Sequence, residues 1–182
     1  MQIIFVVHFI RHAVVATGGV TTTFFHRGND PLDHCIDGLQ LRKITPANTP
    51  SDTGLGTSVD ISGNYIIAGA TNDKTYGKWA GAAYIFNANT GQLMHKLFPN
   101  DPASEARFGK SVTISGNYAL IGSYTANNYE GAAYLFDVTT GNQLAKFAAS
   151  DAIRNDTFGW SVAIDETAAV IGAYSDDRPV SD

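Results

Sequence analysis

An internal repeat constrains this chain more than any other feature. Phe108-Gly109-Lys110-Ser111-Val112-Thr113-Ile114 recurs as Phe158-Gly159-Trp160-Ser161-Val162-Ala163-Ile164, and upstream as Leu55-Gly56-Thr57-Ser58-Val59-Asp60-Ile61. Gly81-Ala82-Ala83-Tyr84 returns as Gly131-Ala132-Ala133-Tyr134, and Thr90-Gly91 as Thr140-Gly141. The period is about 50 residues, the length of a propeller blade and longer than the usual rung of a stacked β-solenoid. The first copy is longer, and its extra residues lie between Gly69 and Gly81. From Gly91 to Phe108 and from Gly141 to Phe158 the spacing is constant, and it also runs from Gly38 to Leu55. Gly38 to Ile44 therefore reads as the last strand of an earlier copy, with Lys43, Lys96 and Lys146 in one column.

Each copy reads as four short strands. Near Ser111 to Ser115, Val and Ile alternate with small polar residues, the period-2 pattern of a half-buried strand. Ser115-Gly116-Asn117-Tyr118 and Ser62-Gly63-Asn64-Tyr65 follow, where Gly-Asn suits a two-residue hairpin turn. The third copy has Glu166-Thr167 there, a poorer turn that calls for a different loop. The second strand, Tyr118 to Gly122 or Ala168 to Gly172, is nearly all apolar, as suits a strand covered on both faces. A third runs from Ala132 to Phe136, and Asp137 to Gly141 makes the turn into the fourth.

Such a sheet cannot bury its own faces, so blades stacked around an axis are the natural solution. The expected fold class is all-β: four-stranded antiparallel propeller blades, in an incomplete propeller. By register the chain divides into a strand of a preceding blade (38–54), two blades (55–107 and 108–157) and half of a third (158–182). Residues 1–37 stay unassigned. Where a Gly-Ala-Ala-Tyr strand should stand they read Gly28-Asn29-Asp30-Pro31-Leu32-Asp33-His34, as a non-native or mis-framed stretch would. Translating the neighbouring DNA in all frames tests this reading. Closed propellers use roughly 4–8 blades, so the remaining blades or another subunit are expected to complete the ring.

The Phe-Gly opening, an apolar strand and then Gly-Ala-x together resemble the FG-GAP repeat. This is the unit of the integrin α-chain N-terminal β-propeller and of many cell-surface proteins. The resemblance covers roughly Gly38 to Asp182. Its third element stands as Gly69-Ala70-Thr71, Gly122-Ser123-Tyr124 and Gly172-Ala173-Tyr174, without the proline. It implies a propeller of about seven blades, an extracellular or cell-surface location, and a role in adhesion or ligand binding. It also marks Leu55, Gly56, Gly69, Gly81, Tyr84, Gly91, Phe108, Gly109, Gly122, Gly131, Tyr134, Gly141, Phe158, Gly159 and Gly172 as structural signature positions.

The family's Ca²⁺ loops, of the pattern Asp-x-Asp-x-Asp-Gly, lie between its Phe-Gly strand and its Gly-Ala strand. Here that connection is Ser-Gly-Asn-Tyr in two copies and Asp165-Glu166-Thr167 in the third. A two-residue turn cannot supply the six or more oxygens Ca²⁺ takes. No cofactor is expected in these copies, and calcium is left to blades beyond them. Adding Ca²⁺ or a chelator should leave the melting temperature unchanged; a shift of several degrees would overturn this. Asn72, Asp73, Asn127, Asn128, Glu130, Asp176, Asp177 and Asp182, in the later loops, read as solvated turn residues.

Other signals carry no chemistry. Gly54-Leu55-Gly56 lacks the third glycine and the βαβ unit of a dinucleotide site. His8, His12, His26, His34 and His95 share no metal-ligand spacing, and His95 reads as an exposed strand residue. Trp79 and Trp160 read as packing residues, Cys35 as a spectator thiol, and Asn155-Asp156-Thr157 as a chance glycosylation sequon. Ile3 to Ile10 is too short to span a membrane and no basic residue precedes it, unlike a signal peptide. The net charge of −5 lacks the clustered Lys and Arg that nucleic acid or an anionic membrane needs. The expected function is a non-enzymatic binding or adhesion module whose loops meet a protein or glycan. A propeller enzyme or accessory domain, hydrolase-associated or of the quinoprotein type, and a purely structural repeat are the alternatives.

Overall fold

The computed structural model describes residues 12–17, 21–26, 40–44, 46 and 52–175. Cys35, His8, His34, Asp176, Asp177 and Asp182 lie outside them. The described chain is almost entirely β. A three-stranded sheet comes first, β1 (His12–Thr17), β2 (Thr21–His26) and β3 (Gln40–Ile44), in the order β1-β2-β3. Two four-stranded antiparallel sheets follow: β4 (Leu55–Ser62), β5 (Tyr65–Ala70), β6 (Ala82–Asn87) and β7 (Leu93–Leu97), then β8 (Ser111–Ser115), β9 (Tyr118–Ser123), β10 (Ala132–Asp137) and β11 (Gln143–Phe147). Last comes the pair β12 (Phe158–Ile164) and β13 (Ala169–Ala173). Each four-stranded sheet is a simple meander, as a propeller blade requires.

Register explains the repeat. Tyr84 pairs with Lys96 and Tyr134 with Lys146, each followed by a one-residue shift that sets Phe86 opposite Leu93 and Phe136 opposite Gln143. β2 and β3 pair in the same way: Thr23 meets Lys43, and after the same shift Phe25 meets Gln40. The lysine column is thus one register position in three sheets. It also gives the earlier copy's third strand a different address from the one spacing predicts: Thr21–His26, upstream of 28–34. The second strands β5 and β9 are buried along nearly their whole length.

The apolar core lies between sheets. Ile44 of the first sheet joins Leu55, Ile66, Tyr84 and Phe86. Ile67 and Ile85 pack with Phe108, Ile121 and Phe136 of the next blade. Phe108 meets Tyr134 and Phe136 edge-on, at ring-centroid distances of 5.6 and 5.9 Å. These offset aromatic arrangements add about 0.5–1.5 kcal/mol each beyond their buried area.

Turn chemistry differs between copies where the sequence does. Gly63 and Gly116 open their hairpins with φ of 54°, and of each Gly-Asn pair only the glycine uses positive φ. In the third copy Asp165 builds the turn: its carboxylate accepts the Thr167 and Ala168 backbone N–H groups at 2.7 and 2.8 Å, and the Asp165 N–H donates to the Ala168 carbonyl. Those bonds hold the exposed Asp165 carboxyl below the usual carboxylate range. A side-chain acceptor replaces the glycine there.

Candidate functional site

The Phe-Gly and Gly-Ala elements meet each other across blades. A Cβ placed on Gly69 would lie 2.0 Å from the Gly109 carbonyl oxygen, and one on Gly122 would lie 2.0 Å from that of Gly159. Gly81 and Gly131 form parallel bridges with Phe108 and Phe158 of the following blade. Ser58 and Ser111 hydroxyls each donate at 2.9 Å to the carbonyls of Gly109 and Gly159. Asp60 adds to the first seam, its carboxylate accepting from the Thr113 hydroxyl and the Ile114 N–H at 2.9 Å. The signature glycines are therefore a seam where two backbones touch, and they leave no room for a reacting group. Gly91 and Gly141 lie in the Thr-Gly turns at φ 71° and 74°, the conformation glycine tolerates best.

Two further corrections concern charged and titratable side chains. Asp73 is no solvated turn residue. Its side chain is 1% exposed and its carboxylate accepts from Lys96 Nζ at 2.9 Å, Tyr84 Oη at 3.1 Å and the Thr75 N–H at 2.9 Å. Burial pushes its pKa up, but the bonds from Thr75 and Lys96 outweigh burial and leave it lowered. The Tyr84 phenol moves the other way, raised by burial and by the adjacent Asp73. In the next blade Asp101 takes the same role from another loop, pairing with Lys146 at 2.6 Å and bonding Tyr134. His95, read as exposed, is partly buried: its Nε2 lies 3.1 Å from the Thr139 carbonyl, against the next blade's Thr-Gly turn. Among the described residues no three His, Cys, Asp or Glu side chains group closely enough to hold a metal ion.

Chemistry gathers instead at one end of the blades. There the β5–β6 and β9–β10 loops are clasped by the connections running from each blade to the next. Arg107 N–H donates to the Trp79 carbonyl at 3.0 Å, and Thr157 N–H to that of Tyr129 at 3.1 Å. Among the described residues every non-glycine with positive φ lies in these connections, including Trp79, Arg107, Asn127, Asn128 and Tyr129. Each such residue costs about 1–2 kcal/mol, and the cross-loop hydrogen bonds hold it in place.

Two positions per copy face this end: the residue immediately after the Phe-Gly glycine and the second after the Gly-Ala glycine. Blade one places Thr57 and Thr71 there, with hydroxyls 3.2 Å apart. Blade two places Lys110 and Tyr124, and the third copy Trp160 and Tyr174. Trp160 packs edge-on against Tyr124 at 4.9 Å and stacks on Tyr174 at 5.1 Å, with Lys110 Nζ 4.6 Å from the Trp160 ring centre. Tyr174 is 73% exposed and Trp160 partly so. Further along, Lys78 Nζ and Arg107 Cζ lie 3.8 and 4.5 Å from the Trp79 ring centre. Arg107 also donates to Asn72 Oδ1 at 2.6 Å. Both tryptophans pack, as their sequence reading held, but against cations and exposed rings and outside the apolar core. Indole and phenol faces beside unburied cations suit a planar apolar ligand face that carries acceptors or negative charge. Single-sequence reading missed this patch because its residues differ between copies, whereas repeats are found by what recurs.

A model of the FG-GAP repeat matches residues 39–86, 92–136 and 142–182. No curated protein matches the chain. The solved structures of U3-55K and of the RRP9 WD40 repeats are similar in fold, each with a TM-score of 0.60 at 12% identity. Each match covers 90% of this chain and 42% of that chain. No helix among the described residues is long and apolar enough to cross a membrane.

Proposed function

This chain belongs to the FG-GAP repeat family, and from that premise we propose that it is a non-enzymatic binding or adhesion module, acting outside the cell or at its surface. The end face carrying Lys110, Tyr124, Trp160 and Tyr174 recognises a protein or glycan ligand. One observation carries this reading: the frame of glycines and strands repeats almost unchanged, while the two outward positions on it pass from Thr and Thr to Lys and Tyr to Trp and Tyr. Side chains that vary on a constant backbone serve recognition and contribute little to folding. Tryptophan, tyrosine and basic side chains are also the types that dominate binding energy when a partner desolvates them.

The test is a glycan and matrix-protein array probed with the whole chain. Trp160→Ala should weaken binding to any ligand found by roughly tenfold or more, the loss expected for a central aromatic contact. Lys110→Ala should reduce it less, and that part should fade as salt rises. An unchanged affinity in Trp160→Ala would remove this face from consideration. A silent array would favour the structural alternative.

A further inference from the structure

The chain's single Asn-x-Ser/Thr triplet, Asn155-Asp156-Thr157, lies in the connection between β11 and β12. As sequence alone it is a short motif that chance supplies readily. The fold gives each of its three residues a separate setting.

The same connection precedes every Phe-Gly element, so the three positions have counterparts. Asp52, Thr53 and Gly54 stand before Leu55, and Glu105, Ala106 and Arg107 before Phe108. The first position is exposed in all three copies and holds positive φ, 64° at Asp52, 65° at Glu105 and 79° at Asn155. Asn155 is thus exposed by the shape of the loop, as Glu105 is with the next blade already packed beside it. Its backbone N–H donates to the Tyr129 carbonyl at 3.1 Å, while its side-chain amide has no hydrogen-bond partner among the described residues. The second position turns inward: Asp156 is buried, and its carboxylate accepts the Ile153 N–H at 2.8 Å.

At the third position the packing gives no reason for the residue. Its φ is 69° at Gly54, 55° at Arg107 and 57° at Thr157. Glycine adopts this conformation without steric cost. Arg107 uses its side chain, reaching Asn72 Oδ1 and the Trp79 ring. Thr157 does neither. It is β-branched, the kind of side chain least suited to positive φ, and its hydroxyl is buried without a hydrogen-bond partner. Thr53 is the other described residue with an orphaned hydroxyl, yet it is not at positive φ and belongs to no such triplet. A strained, unsatisfied side chain that the packing does not use points to a role outside the folded state.

Resting on the extracellular reading above, which brings the chain to such an enzyme, we propose that Asn155 accepts an N-linked oligosaccharide and that Thr157 is there to be read by the transferase. Asn followed two residues later by Thr is the pattern these enzymes take. The donor is an oligosaccharide carried on a lipid pyrophosphate. The bond from Asn155 Nδ2 to the sugar C1 forms as the C1–O bond to phosphate breaks. One Nδ2 proton passes to a base of the transferase, and the lipid pyrophosphate leaves. Because the Thr157 hydroxyl is buried in the finished fold, transfer precedes closure of this loop. The glycan then projects from an exposed position beside the Tyr129 backbone.

The test compares the whole chain from its own cells, secreted from a eukaryotic host behind an added leader, and made without glycan in a bacterial cytosol. The secreted chain should exceed the 19.4 kDa chain mass by one oligosaccharide and lose the excess to peptide N-glycosidase. Asn155→Gln and Thr157→Ala should each lack it. The native chain should lose mass to the same enzyme. Offered donor and transferase, the folded bacterial chain should accept far less glycan than the same chain denatured. In the bacterial form Thr157→Gly, the residue of the first copy, should melt no lower than wild type. A secreted chain without glycan overturns the proposal and leaves the extracellular reading standing. A glycan on the secreted chain but none on the native one counts against passage outside the cell, and the proposal falls with that reading. Equal transfer to folded and denatured chain overturns the order of events. A lower melting temperature for Thr157→Gly gives Thr157 a part in the fold and overturns its assignment to the transferase.

Discussion

Gly69→Ala will destabilise the fold by about 3–5 kcal/mol, a loss seen when a seam or core cannot accommodate added volume. Gly69 lies at an ordinary φ, so conformational freedom is not the reason. The added methyl would stand 2.0 Å from the Gly109 carbonyl oxygen, inside contact distance of backbone that cannot rotate away. Relief requires the two blades to separate, which opens the layer where Phe108 and Ile121 are buried. For a chain of this size that is a fall of roughly 10–15 °C in melting temperature. Two other glycines calibrate the effect. Gly116→Ala meets nothing within 4 Å and bears only the left-handed φ of 54°, so about 1–2 kcal/mol is expected. Gly172→Ala meets the Ser161 hydroxyl, a side chain free to turn, and should cost least in an isolated chain. Thermal melts of the three variants test the ranking. If Gly69→Ala melts with Gly116→Ala, the seam does not organise the fold.

That ranking shows what could be read before any coordinates. Glycines recurring with Phe, Ala and Tyr mark a period, and a period near 50 residues with two-residue turns leaves few solutions other than blades. The strands of both whole blades fall where alternation and turns put them. Legibility fails where loop length changes. Constant spacing places the earlier copy's third strand at 28–34, but β2 lies at Thr21–His26 and its connection to β3 is longer. Strand pairing tolerates such an insertion at little cost, because loop-closure entropy grows only slowly with length. The role of Asp73 is hidden in the sequence for a related reason. The longer loop between Gly69 and Gly81 folds inward, and an aspartate among Asn, Lys and Thr looks solvated unless its cross-strand partners are known. The aromatic end face stayed hidden because its residues do not recur.

The buried pair gives the second large effect. Asp73→Ala should cost about 3 kcal/mol, near the lower end for removing one partner of a buried ion pair, because Lys96 keeps 28% of its side chain exposed. It strands the Lys96 ammonium beside the Tyr84 and Phe98 rings and deprives the Tyr84 hydroxyl of its acceptor. Asp101→Ala removes the equivalent carboxylate of the next blade, but that side chain is 51% exposed, and a pair so placed contributes about 1 kcal/mol or less. Burial, more than the shorter 2.6 Å contact of the Asp101 pair, should decide the order. Acidity gives an independent reading of the same site. Asp73 has a folded-state pKa below its unfolded value near 3.9. Its contribution is therefore complete above the ordinary carboxylate range and is lost as pH falls through the lowered folded value. Asp73→Asn, which keeps a side-chain acceptor but no charge, should flatten that part of the acid limb in a plot of unfolding free energy against pH. Equal losses for the two alanine variants, or an acid limb unchanged in Asp73→Asn, would mean that the Lys96 pair is solvated and that the fold rests on the glycine seams without it.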